Sequence, residues 1–160
     1  MSMWWCLQLR REAASVPLAR RLLLDAMDSA GVDGEISYDL SLALSEACAN
    51  AVEHGAGERS QGYCVTAFLD GDQCRIEVAD QGPGFHAPAR PPSTRPVDAE
   101  GGRGLFLIES LADRMHVGNR PGRGGAVVSF DKTLKWQQGH EDSPGRKKPG
   151  TGSSPLLAAG

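Results

Sequence analysis

None of the four cysteines, Cys6, Cys48, Cys64 and Cys74, stands in a Cys-x-x-Cys pair. That removes the common zinc and dithiol-redox motifs. Their even number would allow disulfides, but their separation and the supply of apolar residues for a core favour the reduced thiols of the cytosol. No stretch approaches the ~20 apolar residues that a membrane span needs. The opening Met1-Ser-Met-Trp-Trp-Cys-Leu has neither a basic start nor a long apolar run, so no signal peptide is expected. A basic excess is missing as well: 17 Lys and Arg stand against 20 Asp and Glu, a net charge of −3. Such a balance disfavours a nucleic-acid binder. The expectation is a cytoplasmic protein that engages neither membrane nor nucleic acid directly.

What is present suits one domain, since 160 residues can bury a core without disulfides or metal. Trp4 to Arg10 is a short run of β-formers. Ser15 before Val16-Pro17 is a plausible helix cap, and Leu18, Leu22, Leu23 and Met27 follow at helical spacing until Gly31. Asp33-Gly34 reads as a turn and Ser37 as a second possible cap, opening a helix to about His54. Tyr63–Leu69 and Gln73–Ala79 are strands joined through Asp70-Gly71-Asp72, a good hairpin signal. A Pro-, Arg- and Ser-rich stretch, 86–100, has no periodicity and has the length of a binding loop or lid. Leu105 to Leu111 is helical, Val117 to Asn119 a short strand, and Ala126–Phe130 a closing strand. The order β-α-α-β-β-α-β-β predicts an α+β two-layer sandwich, with helices on one face of a mixed, mostly antiparallel sheet. The domain is expected over 1–136, with 137–160, rich in Gly, Pro, Ser and Lys, as a disordered tail.

The second helix organises the rest. At ~100° per residue, Leu40, Leu44, Ala47, Cys48 and Ala51 share an apolar face. Asp39, Glu46, Asn50, Glu53 and His54 occupy a separate narrow arc, flanked by Leu42 and Ala49. A helix apolar on most sides with one short polar stripe either turns that stripe into a pocket or exposes it as an ordinary acidic surface.

Three segments have chemical potential. Glu46 and Asn50 lie one turn apart, hence side by side. A carboxylate and an amide so placed suit a hard cation such as Mg²⁺, and Glu46 would also accept a proton from an attacking hydroxyl. The same residues on a solvated face would need no such role. In Asp80-x-Gly82-x-Gly84, an acceptor at a strand end adjoins backbone that a flat ligand can approach, although Asp followed by Gly is also an ordinary turn. Gly101-Gly-Arg-Gly104 at a helix start offers free N–H groups and an Arg103 guanidinium to an anion, or simply a tight connection. It is neither a P-loop nor a complete GxGxxG.

The order and spacing of these segments are more specific than any one of them. Glu46-x3-Asn50-Ala-Val-x-His54-Gly, then Asp80-x-Gly82-x-Gly84-Phe, then Gly102-x-Gly104-Leu105-x-Leu-Ile resembles the N, G1 and G2 boxes of the GHKL ATP-binding superfamily. The resemblance runs from about Trp4 to Phe130 and is strongest to the bacterial anti-sigma factor serine kinases. It implies a Bergerat-type ATP-binding fold with ATP and Mg²⁺ as cofactors, Asn50 as metal ligand and Glu46 as general base. Asp80 would hold the adenine amine, Gly82 and Gly84 would admit the base, and Gly102 and Gly104 would cradle phosphates beside Leu105. Arg103 would face the terminal phosphate, and the segment 86–100 would be the ATP lid. His54 would line the pocket, or be a helix-end histidine satisfied by the dipole. The implied activity is serine/threonine phosphorylation of a STAS-domain anti-sigma antagonist, with sequestration of a sigma factor. A non-catalytic, ATP-dependent binding module of the same fold is the alternative. A sensor histidine kinase is disfavoured, because little chain precedes the first helix to carry a phospho-acceptor helix pair. Exposed Trp4 and Trp5 would serve a homodimer or partner surface, or else pack as core and sheet edge. One departure stands out. Where the superfamily often carries Gly-Thr near the last strand, this chain reads Arg123-Gly-Gly-Ala126, without a hydroxyl.

Overall fold

The computed structural model describes residues 2–54, 62–80, 102–119 and 126–138. The elements run β1 (Ser2–Arg10), α1 (Ser15–Ala30), α2 (Gly34–His54), β2 (Gly62–Asp70), β3 (Gln73–Asp80), α3 (Gly102–Leu111), β4 (Arg114–Asn119) and β5 (Ala126–Thr133). This is the expected order. The strands form one sheet in the order β1-β2-β3-β5-β4. Every pairing is antiparallel, so the sheet that element order alone left as mixed is uniform among the described residues. β5 inserts between β3 and β4, and α3 therefore carries the chain from β3 over β5 to the far edge.

Period-two burial explains the two layers. The register aligns Trp5, Ala67, Ile76, Phe130 and Met115 across all five strands, and Leu7, Val65, Val78, Val128 and Val117 across the next row. From these rows Ala67, Val65, Ile76, Val78, Phe130 and Val128 are buried against the helices. The opposite face carries Trp4, Phe68, Arg75, Asp131 and Arg114 in one row. There Arg75 grips Asp131 through two hydrogen bonds, Nε to Oδ1 at 2.6 Å and Nη2 to Oδ2 at 3.0 Å. Trp4 rests near Phe68, with ring centroids 6.3 Å apart, and is 62% exposed. Trp5 points the other way and is only half-buried against the core, so the two indoles do not form a joint exposed patch.

Local chemistry sets the helix ends. Gly31 closes α1 in the left-handed region at φ 81°, and its N–H reaches the Asp28 carbonyl. The β2–β3 hairpin turns through Gly71 at φ 58°. The caps differ from expectation. Ser15 does not cap α1, because its hydroxyl bonds Tyr63 Oη at 2.5 Å and the Glu12 carbonyl at 2.7 Å. Asp33, not Ser37, caps α2: its Oδ1 accepts from the N–H groups of Glu35 at 3.0 Å and Ile36 at 3.4 Å. The helix consequently starts at Gly34, and Ser37 bonds back to the Asp33 carbonyl. After β5, Trp136 bridges to Val32, and Gln137 donates its N–H to the Gly31 carbonyl at 2.9 Å. The remainder of the expected tail, 139–160, lies outside the described residues.

Candidate nucleotide site between the second and third helices

The apolar face read from the periodicity of α2 is the face the structure buries: Leu40, Leu44, Ala47, Cys48 and Ala51 are all in the core. The polar stripe is not freely solvated. Asp39, Glu46 and Asn50 are half-buried, and Glu53 toward the end of the stripe is exposed. Two things cover it. Lys132 of β5 reaches Asp39 with Nζ to Oδ2 at 3.4 Å. One turn and more further along, the start of α3 lies over Glu46 and Asn50.

Gly104 is the point of contact. A Cβ placed there would stand 3.0 Å from Glu46 Oε2, 3.4 Å from Asn50 Oδ1 and 3.5 Å from Asn50 Nδ2. The glycine is not needed for its backbone, since it is helical and has no positive φ. In a helix glycine costs about 1 kcal/mol relative to alanine. Its presence is explained by the space it leaves beside the carboxylate and the amide. Glu46, Asn50 and the first turn of α3, with its outward N–H groups, thus share one small polar junction inside an otherwise apolar layer.

Lys132 holds that junction in register. Besides pairing with Asp39 of α2, its ammonium donates to the carbonyl of Leu111, the last residue of α3, at 2.5 Å. A cation there satisfies an orphan carbonyl and complements the negative end of the helix. One side chain therefore fixes α3 against both α2 and the sheet, and Ile108 and half-buried Leu105 pack α3 onto the core.

Asp80 ends β3 on the helix-facing side of the sheet, in register with Tyr63, and is 6% exposed. It therefore faces the layer that holds Glu46 and Asn50. Tyr63 does not stand out in the sequence, yet it is fully buried and ties three elements together. Its hydroxyl bonds Ser15 of α1, and Cys48 of α2 is a further hydrogen-bond partner. Burial pushes the Tyr63 phenol up to about 12, against the Ser15 hydrogen bond, which lowers it. Burial likewise pushes the Cys48 thiol up to about 12, so both remain protonated donors at neutral pH. One step beyond the Ala79–Val127 pair, Ala126 at the start of β5 comes level with Asp80, and it offers that position no hydroxyl.

Of the sequence-predicted residues, the structure brings together Glu46, Asn50 and Gly104 and sets Asp80 on the same side of the sheet. Leu105 follows Gly104 and is half-buried. Gly102 and Arg103 open α3, with the Arg103 side chain outside the described residues, as is that of His54 at the end of α2. Gly82, Gly84 and the expected lid, 86–100, lie outside them too. Among the described residues no helix is long and apolar enough to cross a membrane, and no three acidic, His or Cys side chains cluster as a metal site. Glu46 and Asn50, both beside Gly104, offer oxygen donors of the kind Mg²⁺ takes when it keeps waters and phosphates in its shell.

Comparison with known proteins identifies the family. The family described as Histidine kinase-like ATPase domain matches residues 9–132. A serine-protein kinase RsbW of Staphylococcus aureus is 32% identical over 136 residues, spanning 79% of this chain and 84% of that one. The serine-protein kinase RsbW of Bacillus subtilis is 34% identical over 114 residues, spanning 66% and 69% of the respective chains. Among solved structures, the RsbU and RsbW domains of Rv1364c from Mycobacterium tuberculosis superpose with a TM-score of 0.64 at 25% identity, covering 82% of this chain and 32% of that one. With a family match across most of its length and the fold and helix junction to go with it, the chain belongs to the histidine kinase-like ATPase domain family, alongside the RsbW serine-protein kinases.

Proposed function

We propose that the chain is an ATP- and Mg²⁺-dependent protein-serine/threonine kinase of the anti-sigma factor type. It phosphorylates a STAS-domain anti-sigma antagonist and sequesters a sigma factor, in the cytoplasm and as a homodimer. The observation that carries this reading is the approach of Gly104 to Glu46 and Asn50, which reserves room beside a carboxylate and an amide at a helix start. The relatives named serine-protein kinase RsbW support it.

Bound with Mg²⁺, ATP would supply the transferable phosphoryl group. Phosphoryl transfer asks the protein mainly for positioning and charge neutralisation. Asn50 would contribute its amide oxygen to the cation. Glu46, next to it, aligns the substrate hydroxyl and accepts its proton. Gly102 and Gly104 would offer backbone N–H groups to phosphate, Arg103 would supply its positive charge to the terminal phosphate, and Leu105 and His54 would contribute to the lining. Asp80 would accept a hydrogen bond from the adenine amine, and Gly82 and Gly84 would give the base access. The test is phosphoserine on a STAS-domain partner by mass spectrometry, with wild type and Glu46→Ala compared. Loss of transfer with ATP binding retained in the variant supports the base role. Unchanged transfer removes it.

A second reading has its own observation. Ala126 leaves the Asp80 position without the hydroxyl that the superfamily often provides there. Under that reading the chain is a non-catalytic module in which ATP sets partner choice. Tight complex formation without transfer of labelled phosphate would favour it.

A further inference from the structure

The helix-free face of the sheet carries a pair of thiols that the nucleotide site does not use. In the β1–β2 register Cys6 stands opposite Thr66, and Cys64 stands opposite Gln8. The two cysteines are therefore diagonal neighbours on one face, where sheet twist brings one diagonal of each pair of rows closer. Their sulfurs point at each other at 2.8 Å, and Thr66 Oγ1 lies 3.7 Å from each. A disulfide has its sulfurs ~2.05 Å apart, so closing the bond asks for under an ångström of side-chain rotation. Cys6 is exposed and Cys64 is buried behind it at 8% exposure. An oxidant from solvent meets Cys6 first, with its partner already in place.

The other two cysteines are a built-in contrast. Cys48 and Cys74 are almost completely buried, and burial pushes both thiols up to about 12. Little thiolate forms there, and thiolate is the reactive species.

We propose that Cys6 and Cys64 are a dithiol modification site, oxidised by a peroxide to an intramolecular disulfide that joins β1 to β2. The Cys6 thiolate attacks one peroxide oxygen. A sulfur–oxygen bond forms, the oxygen–oxygen bond breaks, and the leaving hydroxide takes a proton to become water. The Cys64 sulfur then attacks the Cys6 sulfenic sulfur. The sulfur–sulfur bond forms, the sulfur–oxygen bond breaks, and the departing hydroxide takes the Cys64 proton as a second water. Two thiols lose two electrons in all and one peroxide is reduced to two waters. Thr66 Oγ1 donates to the Cys6 sulfur. In a reducing cytosol such a link forms only under oxidation and reverses afterwards. It closes the chain around α1 and α2 and ties the edge strand β1 to its neighbour, which restricts the unfolded chain. The site lies on the face away from Glu46 and Asn50, and the inference does not depend on the kinase reading.

The full chain, treated with hydrogen peroxide, quenched and alkylated in denaturant, tests it. The expected result is loss of two of the four alkylation sites, with peptide mapping linking Cys6 to Cys64 while Cys48 and Cys74 carry the label. The melting temperature should rise, and dithiothreitol should restore both the four sites and the original melting temperature. Cys6→Ser and Cys64→Ser should each form no intramolecular link. Full alkylation of Cys64 after peroxide overturns the proposal, as does recovery of Cys6 only as sulfinate or in a link between two chains.

Discussion

Replacing Gly104 with alanine separates structure from function at the helix junction. Two terms govern stability. Alanine gains up to ~1 kcal/mol of helix propensity, less in a first turn. Against this, the new methyl would lie 3.0 Å from Glu46 Oε2 where ordinary contact begins at 3.4 Å, so the carboxylate must yield about 0.4 Å. A half-buried glutamate does this by leaving its preferred rotamer, at ~0.5–1.5 kcal/mol. The terms nearly cancel, and Gly104→Ala should melt within a few degrees of wild type. Binding has no compensating term. The methyl occupies the space beside Glu46 and Asn50, and one displaced hydrogen bond to a charged group is worth ~1.5–3 kcal/mol. At ~1.4 kcal/mol per decade, Mg²⁺–ATP affinity should fall about tenfold to a hundredfold. Calorimetric titration with Mg²⁺–ATP alongside a thermal melt reads both quantities. A folded Gly104→Ala protein that binds ATP like wild type would refute the idea that this glycine keeps a nucleotide site open.

Two other perturbations test the scaffold. Tyr63→Phe removes the hydroxyl that links Ser15 and Cys48, which should cost about 1 kcal/mol and lower the melting temperature by a few degrees; an unchanged melt would show that the network contributes nothing. The Arg75 hydrogen bond holds the Asp131 carboxyl below its usual 3.8, against the opposing effect of burial. A carboxylate lowered by folding stabilises above its unfolded value and loses that contribution as pH falls through its lower folded value. Because Arg75 is 52% exposed, the pair should be worth no more than ~1 kcal/mol. Asp131→Asn should accordingly destabilise at neutral pH and converge with wild type in strong acid, as urea unfolding across pH would read; a difference independent of pH would contradict the ion-pair account.

The sequence carries its information unevenly, and the reasons are physical. The period of α2 is a local property, so its buried face, and the adjacency of Glu46 and Asn50, follow from the residue order alone. The Asp70-Gly71 hairpin and the Gly31 stop are equally local, because both need a left-handed residue. Competition between partners is not legible. Ser15 of α1 abandons capping for Tyr63, a residue far along the chain, and at α2 it is Asp33 that accepts from the first N–H groups while Ser37 bonds back to the Asp33 carbonyl. The start of β4, Arg114 to His116, alternates polar and apolar with Met115 against the core, so the strand is legible three residues before the expected start at Val117. Gln137 resembles its Gly- and Pro-rich sequel in composition, yet it is held by Gly31, Val32 and Asp28. What covers the α2 stripe is likewise a tertiary fact: Lys132 and Gly104 meet it only after β5 and α3 are in place. From sequence alone Gly104 precedes a helix beginning at Leu105, where a glycine is ordinary; the structure places it inside α3, with no turn to require it.

Everything proposed for this junction turns on Asn50 holding the cation through which it engages ATP. Calorimetric titration of ATP into wild type and Asn50→Ala, each with Mg²⁺ and with EDTA, tests this most directly. Wild type should bind more tightly with Mg²⁺, and Asn50→Ala should keep its fold by circular dichroism while losing that metal-dependent gain. Wild-type affinity and wild-type Mg²⁺ dependence in Asn50→Ala would contradict the account.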